Sequence, residues 1–78
     1  MFGFDRITAD PDILGGKACI RGMRISVSLV VNLVANGMSA AQIIEEYPDL
    51  EPEDVRQALR YAAWTVTDDF YAPLGVAA

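Results

Sequence analysis

The stretch Ser39-Ala40-Ala41-Gln42-Ile43-Ile44-Glu45-Glu46-Tyr47-Pro48-Asp49-Leu50-Glu51-Pro52-Glu53-Asp54-Val55 decides the fold. Ser39 and Gln42 have the spacing of a capping box, in which each side chain satisfies the other residue's exposed amide. Ile43, Ile44 and Tyr47 supply an apolar helical face, and Pro48 stops the helix because it lacks an amide proton. After the turn Pro48-Asp49-Leu50 a further helix begins. Glu51 is its N-cap, a weak choice, and Pro52 takes the first position, where a missing N–H costs nothing. Glu53 and Asp54 complement the positive helix end. Leu50 and Val55 have the spacing of a hydrophobic staple. Val55, Ala58, Leu59, Ala62 and Val66 make the expected buried stripe, ending at Asp68-Asp69 or Pro73. Two helices joined by so short a turn have helix-turn-helix proportions.

Upstream, the period of the apolar residues stays helical as far back as Ser26. Val27, Val30, Val31 and Val34 share one face, and Leu29 and Leu33 widen it, which predicts a central helix. Valine is a mediocre helix former, so packing must drive this segment. Asn36-Gly37 ends it, with Gly37 suited to a left-handed cap. Before Ser26 the pattern is extended. Ile7-Thr8, Ala18-Cys19-Ile20 and Met23-Arg24-Ile25 read as short strands, with corners at Asp10-Pro11, Gly15-Gly16 and Arg21-Gly22. The expected organisation is mainly α within one domain. A β arm or hairpin occupies residues 1–26, a three-helix unit 27–67, and a tail 68–78.

Composition narrows the function classes. The chain has 78 residues, 53% of them apolar, no histidine and one cysteine, Cys19. Without imidazole there is no Ser-His or Cys-His dyad. A lone thiol rules out an internal disulfide and a His/Cys zinc site, and it suits a reducing compartment. The paired acids Glu45-Glu46, Glu53-Asp54 and Asp68-Asp69 suit helix faces and ends better than acid–base chemistry. We therefore expect no enzyme, no cofactor, no metal and no small-molecule substrate. No signal peptide or membrane-length apolar run is visible, so a cytoplasmic location is expected.

The net charge of −5 is uneven. Residues 1–26 hold four cations against three carboxylates, whereas residues 27–78 hold two against eight. Lys17, Arg21 and Arg24 could contact phosphates or an acidic partner pocket, or they could be solvated hairpin charges, or form bridges to Asp10 and Asp12. Arg56 and Arg60 are the cations of the last helix, and they allow a DNA reading. The acidic start of that helix opposes it, because phosphate would be repelled at close range. Tyr61, Trp64, Phe70 and Tyr71 form an aromatic group of the kind that anchors interfaces. They could instead close the core against the tail. A self-complementary face would give a two-fold homodimer.

The run Gly16-Lys17-Ala18-Cys19-Ile20-Arg21-Gly22-Met23-Arg24-Ile25, preceded by Asp10-Pro11-Asp12-Ile13-Leu14-Gly15, resembles the N-terminal signature of domain-of-unknown-function family 433. Val27, Leu33, Gly37, Ser39, Ile43, Tyr47-Pro48, Leu50, Val55 and Ala58-Leu59 continue the likeness, which covers roughly residues 5–63. Ala18 stands where proline is usual and Met23 where threonine is frequent. The resemblance implies a homeodomain-like three-helix fold with a short β arm. It also implies an antitoxin of a type II toxin–antitoxin pair, similar to the VapB group. The implied partner is a PIN-like ribonuclease toxin whose active site gathers carboxylates around Mg²⁺ or Mn²⁺. The helix-turn-helix proportions add operator DNA as a second candidate partner, through repression of the chain's own promoter. Two inhibitory modes follow. Arg21 or Arg24 could enter the carboxylate site, or the acidic helices could cover a basic RNA-binding surface. A DNA-binding regulator without a toxin, or a structural dimerisation module, are the alternatives.

Overall fold

The computed structural model describes residues 3–66. Two short strands precede three helices: β1 (Ile7–Ala9), β2 (Ala18–Ile20), α1 (Val27–Ala35), α2 (Ala40–Glu46) and α3 (Pro52–Thr65). The strands form a two-stranded antiparallel sheet with Ile7 opposite Ile20, Thr8 opposite Cys19 and Ala9 opposite Ala18. The fold is therefore mainly helical with an N-terminal hairpin, as expected.

A two-stranded hairpin is marginal in water by itself. This one is held because Ile7, Cys19 and Ile20 are buried on the helices. Val27 and Val30 of α1, Ile43 of α2, Leu50 of the turn, and Val55 and Ala58 of α3 complete the core with Ile7 and Ile20. The N-terminal residues are thus a layer of the core and do not stand out as an arm.

Local signals set the helix ends. The Ser26 hydroxyl accepts from Leu29 N at 3.0 Å and starts α1. Gly37 N donates to Val34 O at 2.9 Å and Met38 N to Leu33 O at 3.1 Å. These two bonds make a Schellman cap, for which Gly37 has φ +94°. Around α2, Gln42 N donates to the Ser39 hydroxyl and Ser39 N to Gln42 Oε1, at 3.1 and 2.8 Å. Ser39→Ala should cost about 1 kcal/mol in unfolding free energy, read by urea denaturation, because it leaves an amide of the first turn unpaired.

Three expectations need correction. Met23-Arg24-Ile25 is no strand. Arg21 and Gly22 both have positive φ, 46° and 73°, and Met23 N bonds Ile20 O at 2.8 Å. That tight turn folds the chain back, leaving a bond from Ile20 N to Ile25 O at 2.9 Å and an isolated bridge between Cys19 and Ser26. The sheet forms instead across residues 10–17, where Leu14, Gly15 and Gly16 make a left-handed turn. Second, Leu59 and Val66 are not buried but 37% and 49% exposed. At about 100° per residue Leu59 falls at the edge of the stripe that Val55 and Ala58 bury, whereas Val66, nearly in line with Val55, is the C-cap beyond the last helical residue, Thr65. Third, Arg21 does not reach Asp10 or Asp12; its partner is described below. The expected ends of α3 at Asp68-Asp69 or Pro73 lie outside the described residues.

Candidate partner-binding surface

Polar groups meet where the N-terminal hairpin touches the start of α3. Asp54, at the third position of the helix, is 0% exposed. Its Oδ1 accepts from Arg6 Nη1 at 3.1 Å and from Arg21 Nε at 3.0 Å. Its Oδ2 accepts from Arg21 Nη2 at 2.8 Å and from Glu51 N at 2.8 Å. Arg21 thus grips the carboxylate through two nitrogens, the fork geometry that guanidinium allows and lysine does not. The same Nη2 reaches Asp49 O at 2.6 Å, and Arg6 Nη1 reaches Glu51 Oε1 at 2.6 Å.

Beside this cluster Gln57 makes a second tie. Arg6 N donates to Gln57 Oε1 at 3.1 Å, while Gln57 Nε2 donates to Asp5 Oδ1 at 2.7 Å and Glu53 Oε2 at 3.1 Å. Burial pulls the Asp54 carboxyl upward, but the Arg21 bond, the Glu51 amide and Arg6 outweigh it. The net effect holds Asp54 below its ordinary value. A buried carboxylate held ionised between two arginines is a structural tie. It has neither a raised pKa nor an open approach for proton transfer.

The remaining candidates are dispersed. Lys17 and Arg24 are exposed and make no ion pair among the described residues. Arg56 is exposed and pairs with Glu53 at 3.0 Å, a surface contact of little energetic weight. Arg60 is exposed on α3. Tyr61 is half-buried and Trp64 is 46% exposed. Both meet an aromatic residue that sequence reasoning missed. Phe4 lies edge-on to Tyr61 with centroids 5.5 Å apart, and 6.1 Å from Trp64, while Tyr61 and Trp64 are 5.8 Å apart. Phe70 and Tyr71 lie outside the described residues. Among the described residues no group of three or more carboxylates or thiols could hold a metal ion, and no helix is long and apolar enough to cross a membrane.

Residues 7–62 match a protein family described as Protein of unknown function (DUF433). The chain belongs to that family. It is also 43% identical over 56 residues to "Uncharacterized protein y4eO" of Sinorhizobium fredii (strain NBRC 101917 / NGR234). The aligned part is 72% of this chain and 25% of that relative, so the chain spans about a quarter of the relative's length. No solved structure matches. The matched DUF433 segment begins at Ile7, one residue after Arg6, and ends at Ala62. It therefore holds Arg21, Asp54 and Gln57 but not Trp64 or Val66.

The N-terminus of α3, where a helix-turn-helix would approach DNA, is occupied in this DUF433 domain. The Arg6–Asp54–Arg21 cluster fills it, and Glu51 stands beside it with its side chain 58% exposed. The opposite end of α3 is different: Leu59, Ala63, Trp64 and Val66 are exposed there.

Proposed function

We propose that this chain is an antitoxin-like protein that binds and neutralises a PIN-like ribonuclease toxin. The observation that carries the reading is the exposed apolar end of α3. Leu59, Trp64 and Val66 are large, exposed and outside the core cluster. No buried side-chain nitrogen or oxygen among the described residues lacks a partner. A fold that satisfies its interior and still leaves apolar side chains on one helix end is suited to a protein partner. The class of partner is our proposal, drawn from the resemblance to antitoxins, and the chemistry-poor composition agrees with inhibition by contact. The single free thiol, Cys19, fits action in the reducing cytoplasm.

Co-expression with the product of the adjacent reading frame tests the proposal. A PIN-like ribonuclease that arrests growth alone, and that co-purifies with this chain while growth recovers, is the expected result. Recovery of the chain by itself, with the neighbour's toxicity unchanged, rules the reading out. The α2–turn–α3 arrangement with exposed Arg56 and Arg60 favours a second reading, regulation by DNA binding. Salt-sensitive binding of the chain to its own promoter, without any toxin partner, would support that alternative.

A further inference from the structure

We propose that the second half of α3 is a docking face for an apolar protein groove edged with carboxylates. This rests on the ribonuclease reading above and assigns its contact surface. The first half of α3 is consumed by the fold: Asp54, Val55, Gln57 and Ala58 are all buried. Past Ala58 no residue of the helix is fully buried. Tyr61 and Ala62 still lean on the core, Trp64 lies against Phe4 and Tyr61 while staying 46% exposed, and Leu59, Ala63 and Val66 are exposed. At about 100° per residue, Leu59, Ala63 and Val66 fall on one narrow stripe. Arg60 and Trp64 stand one turn apart on its flank.

Charge identifies the occupant. From Val55 to Val66 the chain carries two cations, Arg56 and Arg60, and no carboxylate, although its net charge is −5. Arg56 is turned to Glu53, and Arg60 has no ion pair among the described residues. Among the described residues the face is thus apolar with one unpaired cation, Arg60, on its edge. A second copy is a poor match, because a two-fold contact sets the same patch against itself and brings the arginine flanks together. A partner with carboxylates beside an apolar groove fits, since it gives Arg60 a two-pronged acceptor and encloses Trp64 and Leu59. Tryptophan and arginine are the residue types most often dominant in such contacts.

The test titrates the full-length chain into the purified ribonuclease of the adjacent frame by calorimetry. Binding by the wild type is expected to weaken with added salt. Leu59→Asp and Arg60→Glu should each weaken it at least tenfold, with helical circular dichroism unchanged. Failure of the wild type to bind overturns the ribonuclease reading and this assignment with it. Wild-type binding that both variants retain overturns the assignment alone. So does a loss that follows Glu45→Lys with Glu46→Lys and not Arg60→Glu, because the acidic helix would then be the contact. A concentration-dependent mass in sedimentation that Leu59→Asp abolishes gives the face to a second copy. At least tenfold tighter binding after Phe70→Asp with Tyr71→Asp gives it to the chain's own last residues. Either outcome also overturns the assignment.

Discussion

Asp54→Ala is expected to lower the unfolding free energy by about 3–5 kcal/mol, measured by urea denaturation at pH 7. The reason is the asymmetry of a buried ion pair. The intact cluster has already met its desolvation cost, because Asp54 accepts four hydrogen bonds from Arg6, Arg21 and Glu51 N. Removing the carboxylate leaves Arg21 without its anion and Arg6 with the exposed Glu51 alone, and it uncaps the helix. A chain this size has only about 4–12 kcal/mol in total, so much of the population should unfold. Replacing Asp54 with leucine and both arginines with methionine should recover part of the loss, since an apolar filling avoids stranded charge.

The same cluster sets an acid limit. Asp54 is held below its ordinary 3.8 in the folded chain. Its stabilisation is therefore complete above that value and is lost as pH falls through the lower folded value. Asp5, bonded to Gln57, and Glu53, bonded to Arg56 and Gln57, are lowered in the same sense. Stability plotted against pH should fall below about 4 in the wild type. The wild-type and Asp54→Ala curves should converge there. A constant gap down to pH 2 would contradict the ionic origin of the effect.

Ile43→Ala should cost about 2–5 kcal/mol. Ile43 is 0% exposed and is the only fully buried residue of α2. That helix has only seven residues, too few to be stable alone. Ile43 is its one fully buried anchor, with Ala40, Ile44 and Tyr47 only partly buried on the core, so the cavity would be compounded by loosening of the helix. Amide hydrogen exchange should show α2 losing protection before α1. Uniform loss across all three helices would mean that α2 is held by more than Ile43.

How much of this was legible in the sequence depends on whether the cause was local. The Ser39–Gln42 box, the Gly37 cap and the Pro48 stop each lie within a few residues of what they control. All three read correctly. The third strand, Met23-Arg24-Ile25, did not, and the strand pairing was not specified by local signals. The partner of Ala18–Ile20 lies eleven residues away at Ile7–Ala9. Period alone also misplaced Leu59 and Val66. A helix of 14 residues has apolar positions on more than one side, and sequence does not say how far the neighbouring helices extend beside it.

The Asp54 cluster was the least visible feature. Arg21 stood out, but as a candidate for an outside partner, and Asp54 read as a surface complement to the helix dipole. Their separation of 33 residues leaves no spacing signal. The hint was Asp54 itself, a carboxylate one residue before the staple residue Val55, where the helix start must face the core. Phe4 was missed for a similar reason, being 57 residues from Tyr61 in the chain.

Cys19 gives this architecture a built-in clock. It sits in the middle of β2, 1% exposed, with its thiol reduced. A thiol reagent can reach it only when the hairpin lifts away from the helices. The labelling rate at Cys19 therefore counts lifting events in a native, unmodified chain. Comparing that rate in the free and partner-bound states would reveal whether docking at the second half of α3 quiets the hairpin, which leads in from Phe4 beside Tyr61 and Trp64.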